Sequence, residues 1–208
     1  MTTMKKTEPR PSPAGFNALL ASHVLYLLCG LAYSVYWVLQ KDTPGAAAVS
    51  ALALAVFLGF GGAAGELVAS GVSRPKASPY SRLGTLPIAG ACLAILIVTW
   101  FLTTVVMGRP FTSELIYVTA WAALELTSLD DAHARGWIGR RSARAAAAVA
   151  AFALAFGLAC YAVYYLLEGR ARFYAGLVPY IVFSLAMLSI TVLLIMEKKK
   201  LGGAAKSL

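Results

Sequence analysis

Six long apolar segments, separated by short polar breaks, dominate this sequence and restrict what it can fold into. A helix needs about 20 mainly apolar residues to cross the hydrocarbon core of a bilayer, and each segment reaches or approaches that length. The sequence therefore predicts an all-α integral membrane protein with six transmembrane helices, at approximately residues 16–39, 45–70, 87–107, 112–129, 143–167 and 174–196.

The composition agrees with a membrane protein. Hydrophobic residues make up 60% of the chain and charged residues 13%, with a mean hydropathy of +0.73, whereas soluble domains contain about 45–50% apolar and about 25% charged residues. Cys29, Cys92 and Cys160 all lie inside apolar segments and form no CxxC motif. We therefore expect neither a disulfide nor a structural metal site.

A short aromatic motif recurs along the chain. Residues 33–40 (YSVYWVLQ) return as residues 161–168 (YAVYYLLE) and, more faintly, as residues 97–104 (IVTWFLTT). Even spacing of this kind indicates an internal repeat. It predicts a single transmembrane domain made of three parallel two-helix hairpin repeats, at about 16–72, 85–131 and 142–197, with short cytoplasmic tails at 1–15 and 198–208.

The basic residues divide unevenly between the two sides of a six-span arrangement. Of the 18 Lys and Arg residues, only Lys41, Arg109, Arg170 and Arg172 fall in the turns within the hairpins. Cytoplasmic loops carry the excess of Lys and Arg, so both termini are predicted to be cytoplasmic, in a bacterial inner membrane. The net charge of +9 is then explained by orientation and by contact with anionic lipid headgroups rather than by nucleic acid.

Three ionisable residues fall inside apolar segments: His23, Glu66 and Glu125. Such residues are costly in a membrane span and are functional candidates by default. Counted along each helix, all three lie in the cytoplasmic third, with both glutamates about one turn from the helix end. The functional interpretation is a polar pocket that binds a cation or passes a proton. The alternative is that the glutamates pair with interfacial arginines and that His23 makes an ordinary interhelix hydrogen bond.

Two further patterns are candidates for packing or binding. Gly61 and Gly65 have the GxxxG spacing that allows helices to approach closely, either within one chain or at the face of a homo-oligomer. Aromatic residues near the predicted outer ends of the first helices form either an interfacial belt or an outer site for a planar or cationic ligand: Tyr36, Trp37, Trp100 and Tyr164.

No catalytic motif or cofactor fingerprint is present in the sequence. HExxH, GxSxG and P-loop patterns are missing, and two histidines, only one of them in a span, cannot supply paired haem ligands. We therefore predict no cofactor and no catalytic residue, and regard an enzyme as unsupported.

The first predicted hairpin contains Gly30, Pro44 and the glycine-rich segment 54–66 (LAVFLGFGGAAGE). In these features it resembles small six-span proteins of the HdeD acid-resistance type. It implies a stress-related membrane protein without known catalytic residues. Six spans, cytoplasmic termini and length are also similar to the substrate-binding subunits of energy-coupling vitamin importers.

Three functions follow as expectations. The first is a non-enzymatic membrane protein, stress-related or with a small solute or ion pathway. The second is an importer subunit, whose ligand would bind on the outer side. The third is a membrane enzyme acting on lipid or quinone, which requires the acids and the histidine to converge on a cavity.

Overall fold

The protein is described by a computed structural model that covers residues 13–40, 45–71 and 113–206. Every secondary-structure element in those ranges is an α-helix. The helices are α1 (Pro13–Leu39), α2 (Ala46–Gly71), α3 (Ser113–Ala134), α4 (Arg140–Tyr164) and α5 (Gly169–Lys206). The predicted third helix at 87–107, with Trp100 and Cys92, lies outside the described residues.

Four of the described helices are long and apolar enough to cross a membrane: α1, α2, α4 and α5. Helix α3 is not among them, because its 22 residues include the acids Glu114, Glu125, Asp130 and Asp131. The described part of the chain thus supports an all-helical membrane protein with four candidate spans, where six are predicted from the sequence.

The five described helices share a main buried core, and a second, smaller cluster around Tyr33 lies between α1, α2 and α5. Helix α1 packs along both α2 and α5, α4 packs against α5 and α3, and α3 contacts α2. Leu19, Trp121, Ala146 and Met187 are among the residues buried where these helices meet. Large apolar side chains on the outside remain exposed, including Phe57 and Phe152. Apolar surface of this extent is stable against lipid tails rather than water.

Glycines allow α1 and α2 to approach closely. A Cβ atom on Gly62 would lie 2.7 Å from the ring of Tyr26, and one on Gly65 would lie 2.9 Å from Cβ of Ser22. A Cβ atom on Gly61 would meet only the tip of Leu25, at 3.3 Å. The glycine cluster therefore faces α1 of the same chain, and Gly62 is the more restricted of the two neighbouring glycines Gly61 and Gly62.

One end of the bundle, which we call the basic end, contains the turn between α3 and α4 and its flanking Arg and Lys residues. Arg135 donates one hydrogen bond to the Ala69 carbonyl, at 2.7 Å, and another to Asp131 Oδ2, at 2.6 Å. Its guanidinium lies 4.9 Å from the Trp137 ring centroid. Because Ala69 is near the end of α2, Arg135 satisfies a terminal helix carbonyl and links α2 to the α3–α4 turn.

Glu197 of α5 caps the start of α4. Gly139, the N-cap residue of α4, has no side chain to cap the helix. Its backbone N–H donates to Glu197 Oε2 at 3.0 Å, while the Ser142 hydroxyl donates to Oε1 at 3.1 Å. Lys200 forms an ion pair with the same carboxylate. A carboxylate at a helix N-terminus is favourable for hydrogen bonding and for the helix dipole.

Helix α5 is longer than predicted. It begins at Gly169, five residues before the predicted start, and continues to Lys206, so residues 198–206 of the predicted tail are helical. The carboxylate of Glu197 holds this part of α5 against α4. The lysines that follow Glu197 are strong helix formers and suit the C-terminal end of a helix.

Substituting alanine at Gly62 and at Gly61 tests the α1–α2 contact. Gly62→Ala should destabilise the protein by about 1–3 kcal/mol, because the new methyl group overlaps the Tyr26 ring. Gly61→Ala should be neutral or stabilising, since the Leu25 tip can move and alanine is the better helix former. Thermal melting in detergent measures both. Equal melting temperatures for the two variants would contradict the packing.

Removing the Glu197 carboxylate should loosen the basic end. We expect Glu197→Ala to cost about 1–2 kcal/mol, the usual value of a lost helix cap with its hydrogen bonds. Lys199→Ala, at an exposed position two residues away, is the matched control and should leave the melting temperature unchanged. Similar losses in both variants would mean that Glu197 does not act as a cap.

Candidate functional site

Three ionisable side chains from three helices meet inside the bundle. His23 comes from α1, Glu66 from α2 and Glu125 from α3, with exposed fractions of 0%, 3% and 0%. One ligand-type atom from each, an imidazole nitrogen or a carboxylate oxygen, lies within 4.8 Å of the other two. We call these three residues the His–Glu cluster.

Helical spacing explains how the cluster forms on α1 and α2. Ser22, His23 and Tyr26 share one face of α1, since residues three and four apart are neighbours on a helix. Gly62, Gly65 and Glu66 share one face of α2 by the same rule. The close contact at Gly65 and Ser22 therefore brings Glu66 next to His23.

Helix α3 brings in the third member. Trp121, Ala122, Glu125 and Leu129 are buried at three- and four-residue intervals, so this face of α3 lies inward. Glu125 is nine residues before the end of α3, which corresponds to roughly 13 Å at about 1.5 Å per residue. It lies deeper than the single turn predicted from the sequence, because α3 continues to Ala134 rather than ending at 129.

The hydrogen bonds of His23 determine which of its nitrogens carries a proton. Nδ1 lies 2.8 Å from the Leu19 carbonyl oxygen, which can only accept, so Nδ1–H is the donor. Nε2 lies 2.9 Å from Glu125 Oε1. That contact needs one proton between the two atoms: either an imidazolium donates to a carboxylate, or a carboxylic acid donates to a neutral imidazole. His23 and Glu125 thus share a proton.

Glu66 provides unused hydrogen-bonding capacity beside that pair. Among the described residues, no hydrogen bond of normal geometry reaches either carboxylate oxygen of Glu66 or Oε2 of Glu125, although the side chains of Ser128 and Glu125 are close enough to Glu66 to interact with it. Buried polar atoms nearly always have partners, and exceptions are frequent at functional sites. The cluster therefore combines a shared proton with an adjacent carboxyl group that can accept or release one.

The same atoms are suitable metal ligands, but their spacing is that of a hydrogen-bonded pair. Two ligands of a tetrahedral zinc ion lie roughly 3.3 Å apart, given metal–ligand distances of about 2.0–2.2 Å. The 2.9 Å between His23 and Glu125 is shorter, so a metal would have to separate these side chains. No metal was predicted from the sequence, and the arrangement is better suited to a proton.

The alternative interpretation of the sequence is that the glutamates pair with arginines near the membrane surface, such as Arg74 and Arg135. Arg135 bonds to Asp131 and to the Ala69 carbonyl, and Arg74 lies outside the described residues. His23 does make the interhelix hydrogen bond that was the simpler expectation, but its partner is one of the two candidate glutamates.

At the other end of the bundle, Trp37 joins α1 to α5. Its indole N–H donates to the Phe173 carbonyl at 2.9 Å, and its ring contacts Tyr164 at 5.9 Å and Tyr180 at 6.2 Å between centroids. A Cβ atom on Gly176 would lie only 1.9 Å from the indole. Trp37 is therefore seated against the backbone of α5.

The other members of the predicted outer aromatic site are Tyr36, Tyr164 and Trp100. Tyr36 packs edge-on against Tyr33, with centroids 6.5 Å apart. The Arg172 guanidinium covers Tyr164 at 4.7 Å. Trp100, the remaining member of the predicted outer site, is outside the described residues.

A central cavity of about 220 Å³ was not predicted from the sequence. All five described helices line it, with aromatic side chains from α1, α2, α3 and α5 and small residues from α2 and α4. The signal on α1 was available, since Tyr26, Gly30 and Tyr33 follow His23 at helical spacing. The contributions of the other helices depend on tertiary packing that a single sequence does not display.

Comparison with protein-family models, with curated proteins and with solved structures returns no match to this chain. The function of this chain is therefore inferred from the geometry of its described residues.

The contact between Gly176 and Trp37 can be tested by a double-mutant cycle. Gly176→Ala alone should destabilise the protein by about 1–3 kcal/mol through overpacking against the indole. In a Trp37→Ala background the same change should cost much less, since the clashing ring is gone. Melting of the four proteins in detergent measures the coupling. Additive effects would show that the two residues do not touch.

Proposed function

We propose that this chain is a non-enzymatic, polytopic membrane protein in which the His–Glu cluster binds and passes protons as part of a small solute or ion pathway. The observation that supports this most directly is the 2.9 Å contact between His23 and Glu125, with the buried Glu66 carboxyl within 4.8 Å of both. Buried ionisable groups on membrane helices commonly form proton relays.

The chemistry of transfer follows from the same distances. The proton between Nε2 of His23 and Oε1 of Glu125 can move to Glu66, whose nearest oxygen is within 4.8 Å, by a small side-chain rotation. The proton lost by the pair is gained by the Glu66 carboxylate, so the cluster as a whole conserves charge. Glu66 then serves as the exchange point with the rest of the pathway.

For topology, we propose six spans in three parallel two-helix hairpins. Residues 87–107 would form the third span and α3 the fourth. The distribution of basic residues supports cytoplasmic termini in a bacterial inner membrane, with the basic end against anionic headgroups. A stress-related role is supported by the resemblance of the first hairpin to HdeD-type proteins, and homo-oligomers are compatible with the exposed apolar exterior.

Reporter fusions test the topology. Fusions after Asp42 and Arg109 should both report an outer location, because the proposed six-span topology assigns these positions to the outer turns of the first and second hairpins. A fusion within the α3–α4 turn, at Gly136, should report the cytoplasm. A cytoplasmic signal from either of the first two positions would contradict the six-span arrangement.

Proton flux in proteoliposomes tests the proposed function. Liposomes containing the full chain and a trapped pH-sensitive dye should show faster pH equilibration than empty ones when a potassium diffusion potential is applied. Glu66→Gln keeps the size of the side chain but cannot exchange a proton, and should reduce the flux to that of empty liposomes. Glu168→Gln, at an exposed position, is the control and should behave as wild type.

Two results would overturn the proposal. The first is a wild-type flux no greater than that of empty liposomes. The second is a normal flux through Glu66→Gln, provided that this variant and the control elute and melt alike in detergent.

A divalent cation is the second candidate occupant, because the three ligand atoms already lie within 4.8 Å of one another. Equilibrium dialysis of the purified chain against Zn²⁺ and Mn²⁺ tests it. Stoichiometric binding that is lost in both His23→Gln and Glu66→Gln would favour the metal, while equal retention by wild type and both variants would exclude the cluster as its site.

A further inference from the structure

We propose that a groove between α3 and α4, at the basic end of the bundle, binds one anionic phospholipid. The headgroup phosphate lies at Arg140 and Arg144, and an acyl chain follows the apolar part of the groove. The inference rests on one part of the proposed function, the placement of the basic end at the lipid headgroups, and does not depend on proton transfer by the His–Glu cluster.

The groove lies between two stripes of residues on neighbouring helices. On α4 the lining residues are Arg140, Ala143, Arg144 and Ala147, and on α3 they lie within 126–133. Residues three and four apart share one face of a helix, so each helix presents a continuous stripe to the groove. The short alanine side chains of α4 leave space between the helices, and the groove measures about 510 Å³, against about 220 Å³ for the central cavity.

The end of the groove next to the α3–α4 turn is positively charged. Arg140 and Arg144 are both exposed there, and among the described residues neither guanidinium takes part in an ion pair. Asp130 is the only acid that lines the groove, so the arginines outnumber it. His133 donates from Nδ1 to the Ile138 carbonyl at 3.2 Å, which ties its ring to the turn. The two arginines, which are always charged, are therefore the cations available to an anion.

The part of the groove away from the turn is mostly apolar. Leu126 and Leu129 line it from α3, and Ala147 lines it from α4. Ala147 is seven residues beyond Arg140, which is roughly 10 Å farther along the helix at about 1.5 Å per residue. A ligand that fills both parts must join an anion to a hydrocarbon chain. An anionic phospholipid does so, and basic pockets between membrane helices bind such headgroups.

Matched lipids test the site. Native mass spectrometry of the full chain in detergent micelles would compare dioleoyl phosphatidylglycerol with dioleoyl phosphatidylcholine, which have the same acyl chains but differ in net charge. Phosphatidylglycerol should bind saturably and roughly fivefold to twenty-five-fold tighter, since each basic residue contributes about fivefold. Glycerophosphoglycerol, the same headgroup without acyl chains, should not displace the lipid at equal concentration.

Substitutions within one turn of α4 assign the charge. Arg140→Gln and Arg144→Gln should each reduce the preference for phosphatidylglycerol about fivefold and leave phosphatidylcholine binding unchanged. Arg141→Gln removes the same charge from an exposed residue that does not line the groove, and should keep the full preference. Ala147→Leu, which fills the apolar part, should weaken binding of both lipids.

The proposal is overturned by any of three results. The first is the absence of saturable phosphatidylglycerol binding, or equal binding of the two lipids. The second is an equal loss of preference in Arg141→Gln and in the two groove variants, which would make the basic end a diffuse charged surface. The third is efficient displacement by glycerophosphoglycerol, which would make the groove a site for soluble anions.

Two controls keep these outcomes clear. Melting curves establish that each variant is folded, and Arg140→Gln and Arg144→Gln are independent, so misfolding of one leaves the other as the test. The lipid measurement is made in detergent without a proton gradient. Lipid binding can therefore fail while proton flux in liposomes persists, and flux can fail while lipid binding persists.

Discussion

The close contact between α1 and α2 is the interaction on which the rest of the structure depends. Lipid tails are as apolar as leucine, so helices in a membrane gain little from hydrophobic burial against one another and associate through close packing. Here the ring of Tyr26 packs directly against the backbone of α2 at Gly62, and Ser22 packs against it at Gly65. The resulting alignment places Glu66 beside His23, and positions Tyr26 at the wall of the central cavity.

The buried ionisable residues of α1 and α2 account for the presence of Glu125 on the buried face of α3. His23 and Glu66 would be poorly solvated inside a purely apolar bundle. Glu125 gives His23 a hydrogen-bonded partner, and it is carried by α3, which is not among the candidate spans of the described residues. Of the four acids of α3, Glu125 is the one that lies in the cluster.

The sequence was sufficient to locate the four candidate spans of the described residues and to single out the members of the cluster. Apolar length alone identifies α1, α2, α4 and α5, and a charge inside an apolar segment is conspicuous at His23, Glu66 and Glu125. The hydrophobic periodicity of the sequence does not show how the helices pack against one another. It therefore could not predict that the three residues converge, that Glu125 lies deeper than one turn, or that Trp37 packs against Gly176. The repeated aromatic motif was less informative, because two segments with similar local sequence can pack differently. Tyr33 is buried against Tyr180, whereas Tyr161, the equivalent residue in the copy at 161–168, is half-exposed.

The Leu19 carbonyl accepts from two side chains, the Ser22 hydroxyl and His23 Nδ1, and this limits what the imidazole can do. A histidine that conducts protons through its ring receives on one nitrogen and delivers from the other. The Ser22 hydroxyl also lies 3.4 Å from Nδ1, but its own proton is donated to the same Leu19 carbonyl. A backbone carbonyl cannot take a proton onward, so in this arrangement the Nδ1 side of His23 does not lead to a further acceptor. His23 can hold a proton and return it by the same nitrogen, which makes it a reservoir, and any continuous route must enter and leave through the two carboxyl groups.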